Sequence, residues 1–413
     1  MVQILIKTSS VFGMLRHFLL FFPLVVVNHV GALEQAGIAV GSGFVVFPAV
    51  TYGIKDDSNA YSQPDSTKES ATVTSISPEV VMTLDTGQGE YELMYVLEQG
   101  AYSTNANDNY TDQTLTAGGV VSLSRRSTAT VEGSYVLGHD ARGAGVDEGV
   151  VAVEDVFYPD KHRTASIGGS IELGAENSLL GFSTFGRFTD KNYINNFDRG
   201  TADREYFSWL AGVGTSIYLS PDADIVVEGR ATRVDYISSS GDAQSKEASG
   251  HSLLGGFSWS FSGKSTGRAV VGATQRVPDD TNQSAQTSLS WEVEAEWSPK
   301  AHSTFALTTS RAFAETSGPG SFSNASSTVI SWDHAYSIFF ASSIQAIYSR
   351  QLFYLNDKVV RTDNSYTLSP SLIYSPSRAM DISVGVSYLT KQSTNDDLEF
   401  DRMIYSLDLA LGI

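Results

Sequence analysis

The chain has 413 residues, a formal net charge of −19 and no cysteine, which excludes disulfides, thiolate metal sites and cysteine nucleophiles. The acidity disfavours nucleic acid as a partner. Only 18% of the residues are charged, and although the length alone suggests two or three domains, no linker, composition break or helix-period segment divides the chain.

At the N-terminus Lys7 and Arg16 precede the apolar run Phe18 to Val27, and Val30-Gly31-Ala32 supplies small residues before Glu34. A basic segment, about ten apolar residues and a small-residue cleavage site read as a secretory signal over 1–32, with 33–413 as the mature part. The apolar run is well short of the roughly 20 residues that a spanning helix needs. Beyond it, apolar and polar residues alternate with period two. The alternation predicts strands over 44–55, 72–84, 90–103, 113–124, 128–138, 163–174, 179–189, 204–219 and 225–236. It continues over 246–259, 266–276, 286–297, 303–314, 326–335, 341–352, 364–374, 380–390 and 401–413.

The count is about 18, with 16 the alternative, and an even number is what single-chain bacterial barrels require. Connections alternate short and long. Short ones such as Ser220-Pro221-Asp222, Ser298-Pro299-Lys300 and Ser375-Pro376-Ser377 carry turn-forming residues. Long polar ones run 56–69, 104–112, 139–162, 190–202, 316–324 and 391–399. The expected fold is therefore an all-β, antiparallel, up-and-down transmembrane β-barrel. It has short periplasmic turns, long extracellular loops and both termini on the periplasmic side. The segment from Ala335 to Phe340 is the odd one, a hairpin turn without Gly or Pro.

The strands have two distinct faces. Leu289, Trp291, Val293, Ala295 and Trp297 are expected to face lipid, with Ser290, Glu292, Glu294 and Glu296 on the other side. Met403, Tyr405, Leu407, Leu409, Leu411 and Ile413 likewise oppose Arg402, Ser406 and Asp408. Trp297, Tyr374, Tyr388 and Tyr405 near strand ends fit aromatic girdles at the two membrane interfaces. The lumen-facing charges expected from this alternation are Glu92, Glu132, Glu172, Glu228, Arg230, Arg268, Glu292, Glu294, Glu296, Asp381, Arg402 and Asp408. Carboxylates dominate that set. It reads either as an electronegative lumen that discourages anions, or as wall residues solvated by lumen water or paired locally, as Glu228 and Arg230 are placed to be. Tyr218 is a candidate inward aromatic for stacking on sugar rings.

The loop from His139 to His162 is the longest and carries Asp140, Asp147, Glu148, Glu154, Asp155 and Asp160. Its spacing matches no calcium loop. A solvated extracellular loop is expected, with an infolded or partner-binding segment as the alternative suggested by the apolar centre Val150, Val151, Val153, Val156, Phe157 and Tyr158. No metal-binding His-Glu-x-x-His, Gly-x-Ser-x-Gly elbow or phosphate loop occurs. His251 and Ser252 are the nearest approach to a catalytic pair, and a structural role is expected for them. Neither a catalytic residue nor a cofactor is implied.

A chain closing on an unbroken apolar-alternating strand resembles the outer-membrane β-barrels of bacteria, where such a strand engages the barrel-assembly machinery; Ile413 stands where their last residue is usually aromatic. The stretch Gly43 to Tyr61, with Pro48 in a first strand and Asp56-Asp57-Ser58-Asn59 opening a loop, resembles more narrowly a family of β-barrel porins found with exopolysaccharide and capsule biosynthesis systems. Leu97 to Tyr110, and Arg187 to Tyr193 before Asn195-Asn196-Phe197-Asp198, are similar too. The resemblance implies residence in the bacterial outer membrane, contact with its lipid, and a non-enzymatic part in polysaccharide export, with polysaccharide and periplasmic export components as partners. A general diffusion porin and a structural or adhesin barrel are the alternatives.

Overall fold

The computed structural model describes residues 37–145, 148, 158–174, 178–237, 246–316, 322–355 and 357–412. The predicted signal segment, 1–32, lies outside them, as do Ile413 and the apolar centre of the long loop from Val150 to Phe157. Among the described residues nineteen strands follow one another. The first half holds β1 (Ile38–Gly41), β2 (Phe44–Asp57), β3 (Ala71–Asp85), β4 (Gly89–Tyr102), β5 (Tyr110–Ser124), β6 (Ser127–Asp140), β7 (Asp160–Leu173), β8 (Leu180–Tyr193) and β9 (Tyr206–Ser220). Then come β10 (Ala223–Tyr236), β11 (Ala248–Phe261), β12 (Ser265–Pro278), β13 (Gln286–Lys300) and β14 (Ser303–Ala314). The chain finishes with β15 (Phe322–Ala335), β16 (Phe340–Leu355), β17 (Lys358–Ser377), β18 (Met380–Ser393) and β19 (Phe400–Gly412).

From β2 to β19 each strand pairs antiparallel with the next, and Ile404 to Gly412 of β19 pair back on Asp57 to Ala49 of β2. The result is a closed antiparallel barrel of 18 strands, with all the predicted strands present. Closure gives each of these 18 strands a neighbour on both sides, the condition a sheet must meet to stand in lipid. The extra strand, β1, folds back on β2, pairing Ile38 with Val46 and Gly41 with Phe44. It thereby occupies the part of the β2 edge that β19 does not reach.

The strands run longer than alternation predicts, chiefly at the long-loop end. β17 extends to 20 residues and β18 carries Lys391 into the sheet. Alternating hydropathy marks only the apolar band of a barrel, whereas the backbone ladder continues wherever neighbouring N–H and C=O groups still meet. Pro78 and Pro370 lie inside strands, and the ladder is interrupted beside each, as the missing N–H requires. The turn between β15 and β16 manages without Gly or Pro because the Ser337 hydroxyl accepts the backbone N–H groups of Phe339 and Phe340, both at 3.1 Å.

One face of the wall is a continuous belt of exposed apolar side chains, including Leu93, Val131, Ile167, Val213, Leu253, Leu289, Leu368 and Leu407. Near the short turns, aromatic rings stack across neighbouring strands: Trp297 on Phe305 at 5.4 Å, Phe305 on Trp332 at 6.1 Å and Phe340 on Tyr374 at 4.9 Å. Among the described residues no helix is long and apolar enough to cross a membrane.

Candidate functional site: the polar face of the barrel wall

All twelve predicted charged residues occupy strand positions of the parity opposite to the apolar belt. On that face, side chains from separate strands converge, as they do on the concave side of a curved sheet. Arg230 of β10 donates to Glu228 on its own strand at 2.7 Å and to Glu292 of β13 at 2.5 and 2.8 Å. Arg268 of β12 donates to the same two carboxylates, to Glu292 at 3.5 Å. Two guanidinium and two carboxylate groups from three strands, β10, β12 and β13, thus close a lattice, with side chains only 11–16% exposed. Phe185 of β8 lies beneath it, its ring 5.7 Å from the Arg230 guanidinium carbon. That ring has space because β9 has Gly212, where a Cβ would stand 2.3 Å from it.

The other predicted positions divide. Glu132 of β6 pairs with Arg187 of β8. Arg402 of β19 donates through Nε to both carboxylate oxygens of Asp57 on β2 at 3.0 Å, an ion pair lying across the closing seam. Asp408 sits against Gly53, where a Cβ would stand 2.6 Å from its Oδ1. Glu294 stands in register with Arg268, and Glu92 is half-buried on β4. Glu172 and Glu296 are exposed. Asp381 is buried, and its oxygens have no hydrogen-bond partner among the described residues. Tyr218 has the same parity and is half-buried near the short turns. His251 and Ser252 do not form a dyad: they are consecutive strand residues on opposite faces, and the Ser252 hydroxyl bonds to that of Thr274 at 2.9 Å.

The expectation of a carboxylate-rich wall needs adjustment at three of its acids, because Arg230 and Arg268 take up Glu228 and Glu292, and Arg187, outside the predicted set, takes up Glu132. Arg187 was legible as an inward position on its strand. Asp57, Arg361, Asp363 and Lys391 were not, because they lie in segments where hydropathy alternation has already faded into polar sequence. No local spacing pairs Arg230 with Glu292 either; only the barrel's curvature does.

The long loop also departs from expectation. Glu148 is not free in solvent: Arg361 of β17 donates to it at 2.8 Å and Lys391 of β18 bonds it as well. The same two cations contact Asp363 at 3.0 and 3.1 Å. Because the loop leaves β6 and returns on β7, this contact reaches strands far round the barrel from its own. Burial pushes the Glu148 carboxyl up, but Lys391 and Arg361 outweigh it and hold the group below its ordinary value. At the loop's start Arg142 pairs with Asp108, and Tyr61 donates to Asp108 at 2.8 Å. The Arg142 guanidinium carbon stands 4.6 Å over the Tyr61 ring. This buried cluster ties together the loops after β2, β4 and β6. Among the described residues no three histidine or carboxylate groups are placed to hold a metal.

A closed 18-stranded antiparallel barrel with an apolar belt on one face and convergent polar groups on the other defines a porin-like barrel. Residues 31–412 match the family described as "Putative beta-barrel porin 2", and the chain belongs to that family. None of the curated proteins matches it. Solved structures similar to it include OpdQ of Pseudomonas aeruginosa, at 8% identity, covering 90% of this chain and 98% of that one, with a TM-score of 0.44. OprD of Pseudomonas aeruginosa is 8% identical, covers 93% and 98%, and has a TM-score of 0.43. The copper transporter OprC is 8% identical, covers 89% and 81%, and has a TM-score of 0.44.

Proposed function

We propose that this protein is a non-enzymatic outer-membrane channel for polar solutes. The polar face, with its twelve predicted charges, lines an aqueous lumen and the apolar belt meets lipid. The long loops then lie outside the cell and the short turns in the periplasm. The observation that carries the reading is the neutralised lattice of Glu228, Arg230, Arg268 and Glu292. Two carboxylates and two guanidinium groups held on a concave wall cancel one another there, which suits passage of hydrophilic solutes along that sector. A wall of 18 strands is wide enough to leave such a channel.

A place in surface-polysaccharide export, with periplasmic export components as partners, is the finer reading. It is supported by the resemblance of Gly43 to Tyr61 to porins found with exopolysaccharide and capsule systems, and by the abundance of hydroxyl side chains on the polar face. Conductance across a planar bilayer tests the channel: discrete open steps in KCl are expected, and silence from correctly folded protein would overturn it. Loss of surface polysaccharide in a deletion strain tests the finer reading.

A further inference from the structure

The polar face is not uniform around the barrel. On β14 to β18 it bears no charge between Asp333 and Asp381 near the short turns and the Arg361, Asp363 and Lys391 group near the loops. The register sets two rows of hydroxyls and amides in that interval, with a row of Thr308, Val329, Ile347 and Thr367 between them. Ser310 stands opposite Ser327, Ser327 opposite Ser349 and Ser349 opposite Ser365. Nearer the short turns Ser331 stands opposite Gln345 and Gln345 opposite Ser369. Ser369 then bonds Ser387 through their hydroxyls at 2.8 Å, bridging the place where Pro370 interrupts the ladder. These side chains are half-buried, hence open on one side.

We infer that this uncharged stripe is the path taken by neutral, polyhydroxylated solutes, a saccharide chain above all. The inference rests on the channel reading above and names its solute. Each serine hydroxyl offers one donor and two acceptor lone pairs on a short side chain, so it exchanges bonds with a sugar hydroxyl without holding it. Ions, by contrast, are served by the rest of the lumen. The two rows lie four residues apart along the strands, so hydroxyls and amides recur along the barrel axis on either side of Val329 and Ile347, which suits a repeating polymer.

The test is liposome swelling with maltotriose alongside KCl conductance, on the full chain. The variant S349A/S369A/S387A removes hydroxyls and adds no bulk. Maltotriose entry should fall about three- to tenfold, the factor of one lost hydrogen bond, with conductance unchanged. The variant S349T/S369T/S387T, which keeps the hydroxyls, should restore entry. The control S134A/S166A removes another pair of hydroxyls 2.8 Å apart, outside the stripe, and should leave entry as it was. Equal loss of sugar and ion flux, equal loss in the control, or no loss at all would overturn the inference. A wild type that conducts KCl but excludes every saccharide would also sink it while sparing the channel; a wild type passing neither would sink both.

Discussion

Two sectors of the same wall solve the problem of a polar interior differently. Around β10 to β13, long charged side chains neutralise one another over several strands. Around β14 to β18, short hydroxyls line up in register and leave charge to the ends. Ion pairs withdrawn from water are costly to form but costlier to break one-sidedly, whereas a half-solvated serine loses little when truncated. The first sector is therefore the more sensitive to single substitutions, and the second the more tolerant of them.

The largest expected effect comes from Arg230→Ala, which leaves Arg268 as the single cation of the lattice against both Glu228 and Glu292. A cost of about 3–5 kcal/mol is expected in urea unfolding followed in detergent. The quadruple change R230M/R268M/E228Q/E292Q, which removes all four charges together, should recover most of it. If R230A costs no more than a surface substitution, the lattice is decorative.

Next is Arg142→Ala, which leaves Asp108, 3% exposed, without its cation. A loss of about 3 kcal/mol is expected for the loop cluster. Amide exchange should show it as faster opening at Tyr61 and Asp108, with the barrel strands unaffected; uniform change throughout the barrel would argue against a local role.

Glu148→Gln should act through pH. A carboxyl held below its ordinary value of 4.5 stabilises the anchored loop fully above that value and loses the contribution as pH falls through the depressed one. The melting temperature of the wild type should exceed that of E148Q near neutral pH, and the gap should close in acid. A gap independent of pH would mean the contact with Arg361 and Lys391 is incidental. Smallest of all, Ser349→Ala should change stability by no more than about 1 kcal/mol while altering only saccharide flux.

The barrel itself was readable from the residues because period-two alternation and alternating connection lengths are local signals. Every predicted strand is present. What escaped was β1, four exposed residues too short to show a period, and the outer ends of strands such as β17. The inward parity of Glu228, Arg230, Arg268 and Glu292 could be read along each strand, but their mutual pairing could not, since it depends on curvature bringing residue 230 to residue 292. Glu148 illustrates the same limit. Its loop has no periodic pattern, and its partners lie more than 200 positions away, at Arg361 and Lys391.

Which face of the wall meets water decides whether the barrel encloses an aqueous channel. The chain has no cysteine, so single thiols report cleanly. Placed in sealed liposomes, S369C should react quickly with a charged maleimide that cannot enter lipid, and L368C, its neighbour on the apolar belt, should remain unlabelled. Rapid labelling of L368C with protection of S369C would invert the wall and contradict the channel altogether.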